Sequence, residues 1–126
     1  MKGTVFQKPF EFNLEIPGES WTQGQTLKGS LLVKNHGTDS LDYQNSGVAL
    51  ALGKMKKVKT KDADAFEVLE TMSFGDKQES LSFEFKLPTN GPISDKSHSL
   101  YLIYGDLSGR EGHLQLNVEP SETFKP

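Results

Sequence analysis

Apolar and polar residues alternate with a period of two along most of the chain, and a helical period is almost absent. Between 10 and 16, Phe10, Phe12, Leu14 and Ile16 alternate with Glu11, Asn13 and Glu15. Such a segment has one buried and one wet face, as in an antiparallel sheet covering a core. Pro17 and Gly18 end it. Leu27, Gly29, Leu31 and Val33 repeat the pattern against Lys28, Ser30 and Lys34, and Asn35, His36 and Gly37 supply a turn. Leu81, Phe83, Phe85 and Leu87 form a further stripe stopped by Pro88; Leu114, Leu116 and Val118 form a late one stopped by Pro120. Val48, Leu50 and Leu52 mark a strand whose opposite parity, Ala49 and Ala51, predicts cover on both faces. Between 100 and 104 both parities are bulky, as expected of a central strand.

The stretch 62–74 reads two ways. Asp62, Ala63, Asp64 and Ala65 would cap a short helix carrying Phe66, Leu69 and Glu70. Phe66, Val68, Glu70, Met72 and Phe74 equally make a strand face interrupted by one glutamate, and the β surroundings favour that strand, preceded by a loop. Turn signals at Asn90-Gly91-Pro92, Gly105-Asp106 and Ser108-Gly109 with Gly112 separate the segments. Six firm strands and one or two weaker ones predict an all-β fold, an immunoglobulin-like antiparallel two-sheet β-sandwich. One domain spans 1–120, and 121–126 reads as a C-terminal tail.

With 126 residues the chain is long enough for one core, and eight Phe, three Tyr and one Trp fill it. Fourteen Lys+Arg against 17 Asp+Glu leave a net charge of −3, which points away from nucleic acid as a partner. The chain has no cysteine, so disulfides, thiolate chemistry and Cys-ligated zinc are excluded. The longest uncharged stretch, 43–53, is too short to span a bilayer, and the N-terminus has no apolar run of signal-peptide length. The expected location is cytoplasmic, and no cofactor is expected.

The densest charge feature is Lys54, Lys56, Lys57, Lys59 and Lys61: five lysines in eight residues of a chain that is otherwise −8. Such a strip suits a phosphopeptide, an acidic protein segment or anionic lipid headgroups. On an edge strand, lysines also keep sheets from pairing. Val58 and Thr60 continue the parity of Val48, Leu50 and Leu52, so an edge strand with Lys57, Lys59 and Lys61 outward is the expected placement.

Other candidates are thinner. His36, His98 and His113 occupy separate turn or strand-start positions with no ligand spacing within one element. Asp62, Asp64, Glu67 and Asp76 suggest calcium but lack the glycine turn and terminal glutamate of an EF-hand loop. No G-x-S-x-G elbow, P-loop or dinucleotide turn occurs, and no enzyme is expected. Arg110, the single arginine, reads as a salt-bridged loop residue or an anion anchor. Trp21, Tyr43, Tyr101 and Tyr104 are the residues that would stack on a carbohydrate ring, the alternative reading of function.

Two motifs carry a family resemblance. Gly24-Gln25-Thr26-Leu27-Lys28-Gly29 is an early G-x-x-(hydrophobic)-x-G strand. Phe83-Glu84-Phe85-Lys86-Leu87-Pro88, followed by Pro92, Ser94 and the tyrosine-bearing strand at 100–104, is an F-x-F-x-(Leu/Val)-P segment. In order and separation, these resemble the N-terminal domain of the arrestin-like superfamily, which includes arrestins, retromer subunits and a bacterial sporulation-control protein. The resemblance implies a single arrestin-N-like sandwich and a habit of binding proteins. It carries no phosphate sensor, because the sequence around Lys2 and Lys8 does not match. Relatives of this kind usually have two tandem sandwiches, so a homodimer is an expected substitute for the second. The function expected is a non-catalytic scaffold or adaptor that takes an acidic or extended peptide on a sheet edge or concave sheet face. Peripheral contact with an anionic membrane is a further expectation from the lysines.

Overall fold

The computed structural model describes residues 1–75, 79–89, 97–109 and 111–120. Among the described residues ten strands and one short helix follow in order: β1 (Lys2–Gln7), β2 (Phe10–Glu15), β3 (Trp21–Thr22), β4 (Thr26–Asn35), β5 (Ser46–Lys54), α1 (Met55–Lys59), β6 (Phe66–Ser73), β7 (Ser80–Lys86), β8 (His98–Asp106), β9 (Gly112–Gln115) and β10 (Val118–Glu119). Two four-stranded antiparallel sheets, ordered β1-β2-β4-β7 and β6-β5-β8-β9, are joined by a small parallel pair of β10 with β3. The fold is all-β, as the alternation predicts. No helix among the described residues is long and apolar enough to cross a membrane.

The two sheets share one core. Phe12, Leu14, Leu27, Leu31, Phe83 and Phe85 come from the first sheet, and Val48, Leu50, Leu100, Leu102 and Tyr104 from the second. Each is the inward parity of its strand, and full burial of such side chains contributes about 1.5–3 kcal/mol apiece. The central strand β8 is buried on both faces from Ser99 to Gly105. Its second face belongs to a smaller cluster in which Ala49, Ala51 and Ile103 lie under Phe66 and Leu107, the cover that the alanine parity predicts.

The early glycines have different roles. Gly24 sits at φ +80 in the turn before β4. Gly29 admits a close approach, since a Cβ there would lie 2.8 Å from the Glu15 carbonyl oxygen and against the Phe83 ring. Asn90, Gly91, Pro92 and Ser94 lie outside the described residues, as does the tail 121–126.

Two expectations are corrected, and one strand is added. The first strand of the chain, β1, went unread because its inward parity is Gly3, Val5 and Gln7 while the large apolar Phe6 faces solvent. The late stripe is two strands: after Leu116 bonds to Leu100, the chain leaves β8 and pairs with Trp21 and Gln23 through the Asn117 and Glu119 carbonyls. The segment 54–61 is not an edge strand. Lys54 is still extended, then Met55–Lys59 turns helical and the left-handed Lys61 ends the turn. Met55, Lys56 and Lys57 are good helix formers, and the first β-branched residue is Val58. Half-buried Met55 and Val58, spaced i and i+3, give the helix one inward edge.

The edge strand on that side is β6, the strand favoured for the ambiguous stretch and preceded by the expected loop. It carries an irregularity opposite Leu50 and Ala51, where Leu69 is the unpaired extra residue.

Candidate functional site

Lys54, Lys56, Lys59 and Lys61 are exposed and Lys57 is half-buried. The ion pairs found among the described residues lie elsewhere, so none of the five lysines is neutralised by a carboxylate there. Met55 N–H donates to the Ser97 carbonyl and Lys54 N–H to that of Ala65, which ties the lysine segment to the ends of β8 and β6. From Thr60 onward the chain folds over the outer face of the second sheet. Asp62 N–H donates to Lys57 O, Ala65 N–H to Asp62 O and Asp64 N–H to Asp62 Oδ1. The Asp62 carboxylate thus shapes the turn.

Beside this segment runs a groove of about 620 Å³. Val58, Ala65 and Phe66 give it an apolar wall, with Lys61, Asp62 and Ala63 at the near rim. Ser108, Gly109 and Glu111 form the far rim, and the exposed His113 lines it too. Phe66 is fixed by a ring stack: its centroid is 5.2 Å from Tyr101 at 73° and 5.5 Å from His113, and Tyr101 and His113 are 6.0 Å apart. Tyr101 can lie flat over β5 because a Cβ on Gly53 would overlap its ring. Burial pushes the Tyr101 hydroxyl above the ordinary phenol range, and does the same for Tyr104. A second, more open depression of about 660 Å³ lies along β4 and β7 between Glu15, Lys28, Ser30 and Glu84. Its charges are partly matched by the Lys28–Glu84 pair at 3.8 Å.

The remaining candidates separate. His36 joins Glu11, His98 accepts from or donates to Ser97 Oγ at 2.9 Å, and His113 sits in the groove. Among the described residues no three His, Cys, Asp or Glu side chains converge as metal ligands. Asp76 and Arg110 lie outside the described residues. Carbohydrate stacking on the named aromatics is corrected: Trp21, Tyr101 and Tyr104 are each 4% exposed, and half-buried Tyr43 packs edge-on against Phe74. Without a free ring face Trp21, Tyr101 and Tyr104 cannot lie on a sugar. Trp21 fluorescence is accordingly expected to be that of an apolar environment, unquenched by iodide and unchanged by added oligosaccharides. A solvent-like, sugar-sensitive emission would reverse that assignment.

One polar cluster escaped the sequence reading. On the outer face of the first sheet, Thr4 Oγ1 donates to Asn13 Oδ1 and Asn13 Nδ2 donates to Glu11 Oε2, both at 2.8 Å. Glu11 Oε1 lies 3.1 Å from His36 Nε2, and Lys34 is 3.9 Å from Oε2. The Asn13 and His36 hydrogen bonds, with the Lys34 charge, hold the Glu11 carboxyl below the usual carboxylate range against the opposing effect of burial. The signal was the outward parity itself, since register places Glu11 opposite Lys34. A carboxyl with a lowered folded-state pKa stabilises the fold above its unfolded pKa, and this contribution is lost as pH falls. The stability difference between the wild type and Glu11→Gln is therefore expected at neutral pH and should shrink as acid passes below the ordinary 4.5. A difference constant across that range would remove the ionised network from the account.

Comparison with family models, with curated proteins and with solved structures returned no match.

Proposed function

We propose that this chain is a non-catalytic protein-binding module, a cytoplasmic scaffold or adaptor, that takes an acidic partner segment at Lys54–Lys61 and the adjoining outer-face groove. The observation that carries the reading is the set of five lysines, none with a carboxylate partner among the described residues, concentrated on a chain that is otherwise −8. Such a contrast draws an acidic segment to one place and repels it elsewhere.

The groove, lined largely by the connection 58–65 and by Ser108, Gly109 and Glu111, is favoured over the neighbouring sheet edge at β6. The exposed edge strand β6 has an unpaired extra residue at Leu69 and carries Glu67 and Glu70, features that block strand addition. The same features make β6 a poor seam for a second copy. A membrane surface is less suited than a peptide. Among the described residues the large exposed apolar ones are Phe6, Leu32, Val68 and Leu69, none of them on the lysine segment, so none of these would insert beside the lysines.

The immunoglobulin-like, arrestin-N-like sandwich belongs to this proposal. Its support is the strand distribution, with β4 and β7 neighbours in one sheet and β6-β5-β8-β9 in the other. The two motifs behind the resemblance also lie side by side, Leu27 opposite Phe85 and Gly29 opposite Phe83.

The test is affinity capture from lysate at low and moderate salt, with the wild type beside a form in which Lys56, Lys57, Lys59 and Lys61 are glutamine. A partner held by the wild type, lost from the variant and released by salt supports the reading. A partner held equally by both removes the lysines from it.

A further inference from the structure

The groove beside the lysines has an apolar wall and charge on both rims, and that arrangement restricts what enters it. Val58, Ala65 and Phe66 offer carbon surface, and Phe66 packs edge-on against Tyr101 and at a tilt against His113. Its volume of about 620 Å³ falls inside the roughly 300–1,000 Å³ typical of ligand pockets. Lys61 and Asp62 stand on the near rim and Glu111 on the far one, so a carboxylate inside the groove would meet one cation and two like charges. Lys54, Lys56, Lys57 and Lys59 lie outside it, along the approach from α1.

We infer that the groove is the specificity pocket for the acidic segment, and that it selects a peptide with one uncharged aromatic or large aliphatic residue next to its acidic run. This inference rests on the proposed function. The acidic run meets the lysines, and the apolar side chain leaves water between Val58, Ala65 and Phe66. Carboxylates supply attraction and register, while the anchor supplies most of the discrimination among acidic peptides. Charge complementarity sets the polarity: the acids lie on the α1 side of the anchor, where the five lysines outnumber Asp62.

Two synthetic peptides separate the parts: a short glutamate run followed by one phenylalanine, and its twin with alanine in that place. The phenylalanine peptide is expected to bind about tenfold tighter or more, as burial of a phenyl ring requires. Ala63→Trp should remove that advantage by filling the groove from its exposed near rim. Gly109→Trp should do the same from the opposite rim, where an added Cβ meets nothing closer than 3.7 Å. Glutamine at the four lysines should instead weaken both peptides alike. Equal binding of the two peptides by the wild type would overturn the pocket while leaving the acidic-partner reading intact. Binding of neither peptide would overturn both. Lysine-dependent binding to vesicles containing phosphatidylserine, with neither peptide bound, would assign the strip to a membrane.

Discussion

Phe85→Ala is expected to cost about 3–5 kcal/mol of folding stability, the range for truncating a fully buried phenylalanine. Phe85 is 0% exposed, stands opposite Leu27 in the strand register and packs at 5.6 Å against Phe83. It belongs to the cluster that both sheets share, so the cavity would open where the sheets meet. Edge strand β7 pairs only with β4 within its sheet and therefore depends on that packing. Domains of this kind usually have only about 5–15 kcal/mol in hand, so the variant should be close to unfolding at ambient temperature. Phe6→Ala is the control, since Phe6 is 65% exposed and should change stability by less than about 0.5 kcal/mol. Chemical denaturation of the three proteins gives the comparison. A loss below about 1 kcal/mol at Phe85 would mean that the sheets are not held by this shared core.

Replacing Lys56, Lys57, Lys59 and Lys61 by glutamine is expected to leave the fold in place and to weaken acidic-peptide binding by roughly 10- to 100-fold at low salt. The fold survives because no ion pair of these lysines is lost among the described residues and glutamine suits a helix about as well as lysine. The binding loss follows from removing four of the five cations of the segment. Because exposed charges are screened beyond about 10 Å at 0.1 M salt, the gap between the two proteins should close as salt rises. Calorimetric titration at two salt concentrations measures it. Binding that is equal at low salt would end the role of the segment.

The sheet strands were legible where an inward apolar parity ran uninterrupted. The stripes of β2, β4 and β7 each gave a strand close to the one observed, and the bulky double parity of 100–104 marked the centre of the second sheet. Strand β1 was hidden because its core contacts come from Gly3, Val5 and Gln7, with Asp106 N–H donating to Gln7 Oε1 across 99 residues. Such a tie depends on tertiary approach and leaves no local pattern. The lysine segment misled for a related reason. Val58 and Thr60 kept the strand parity by coincidence, while the chain turned at Met55 to reach Ser97.

The lysines were visible in the sequence as a charge cluster, but the groove was not. It depends on Phe66, His113 and Ser108 meeting across three separate stretches, and on glycine at 53 making room for Tyr101. The Glu11 cluster was legible only in part: outward parity marked Glu11 and Asn13, but His36 meets Glu11 only through the β2–β4 register.

The central claim, that an acidic partner segment docks on the lysine segment and its groove, is tested most directly by nuclear magnetic resonance. The glutamate-run peptide with its phenylalanine would be titrated into isotopically labelled protein and the amide shifts followed residue by residue. The account predicts shifts confined to 54–66 and to Ser108, Gly109, Glu111 and His113. Shifts confined instead to the β6 edge at Glu67–Thr71, or to the outer face of the first sheet around Glu11 and Lys34, would contradict it.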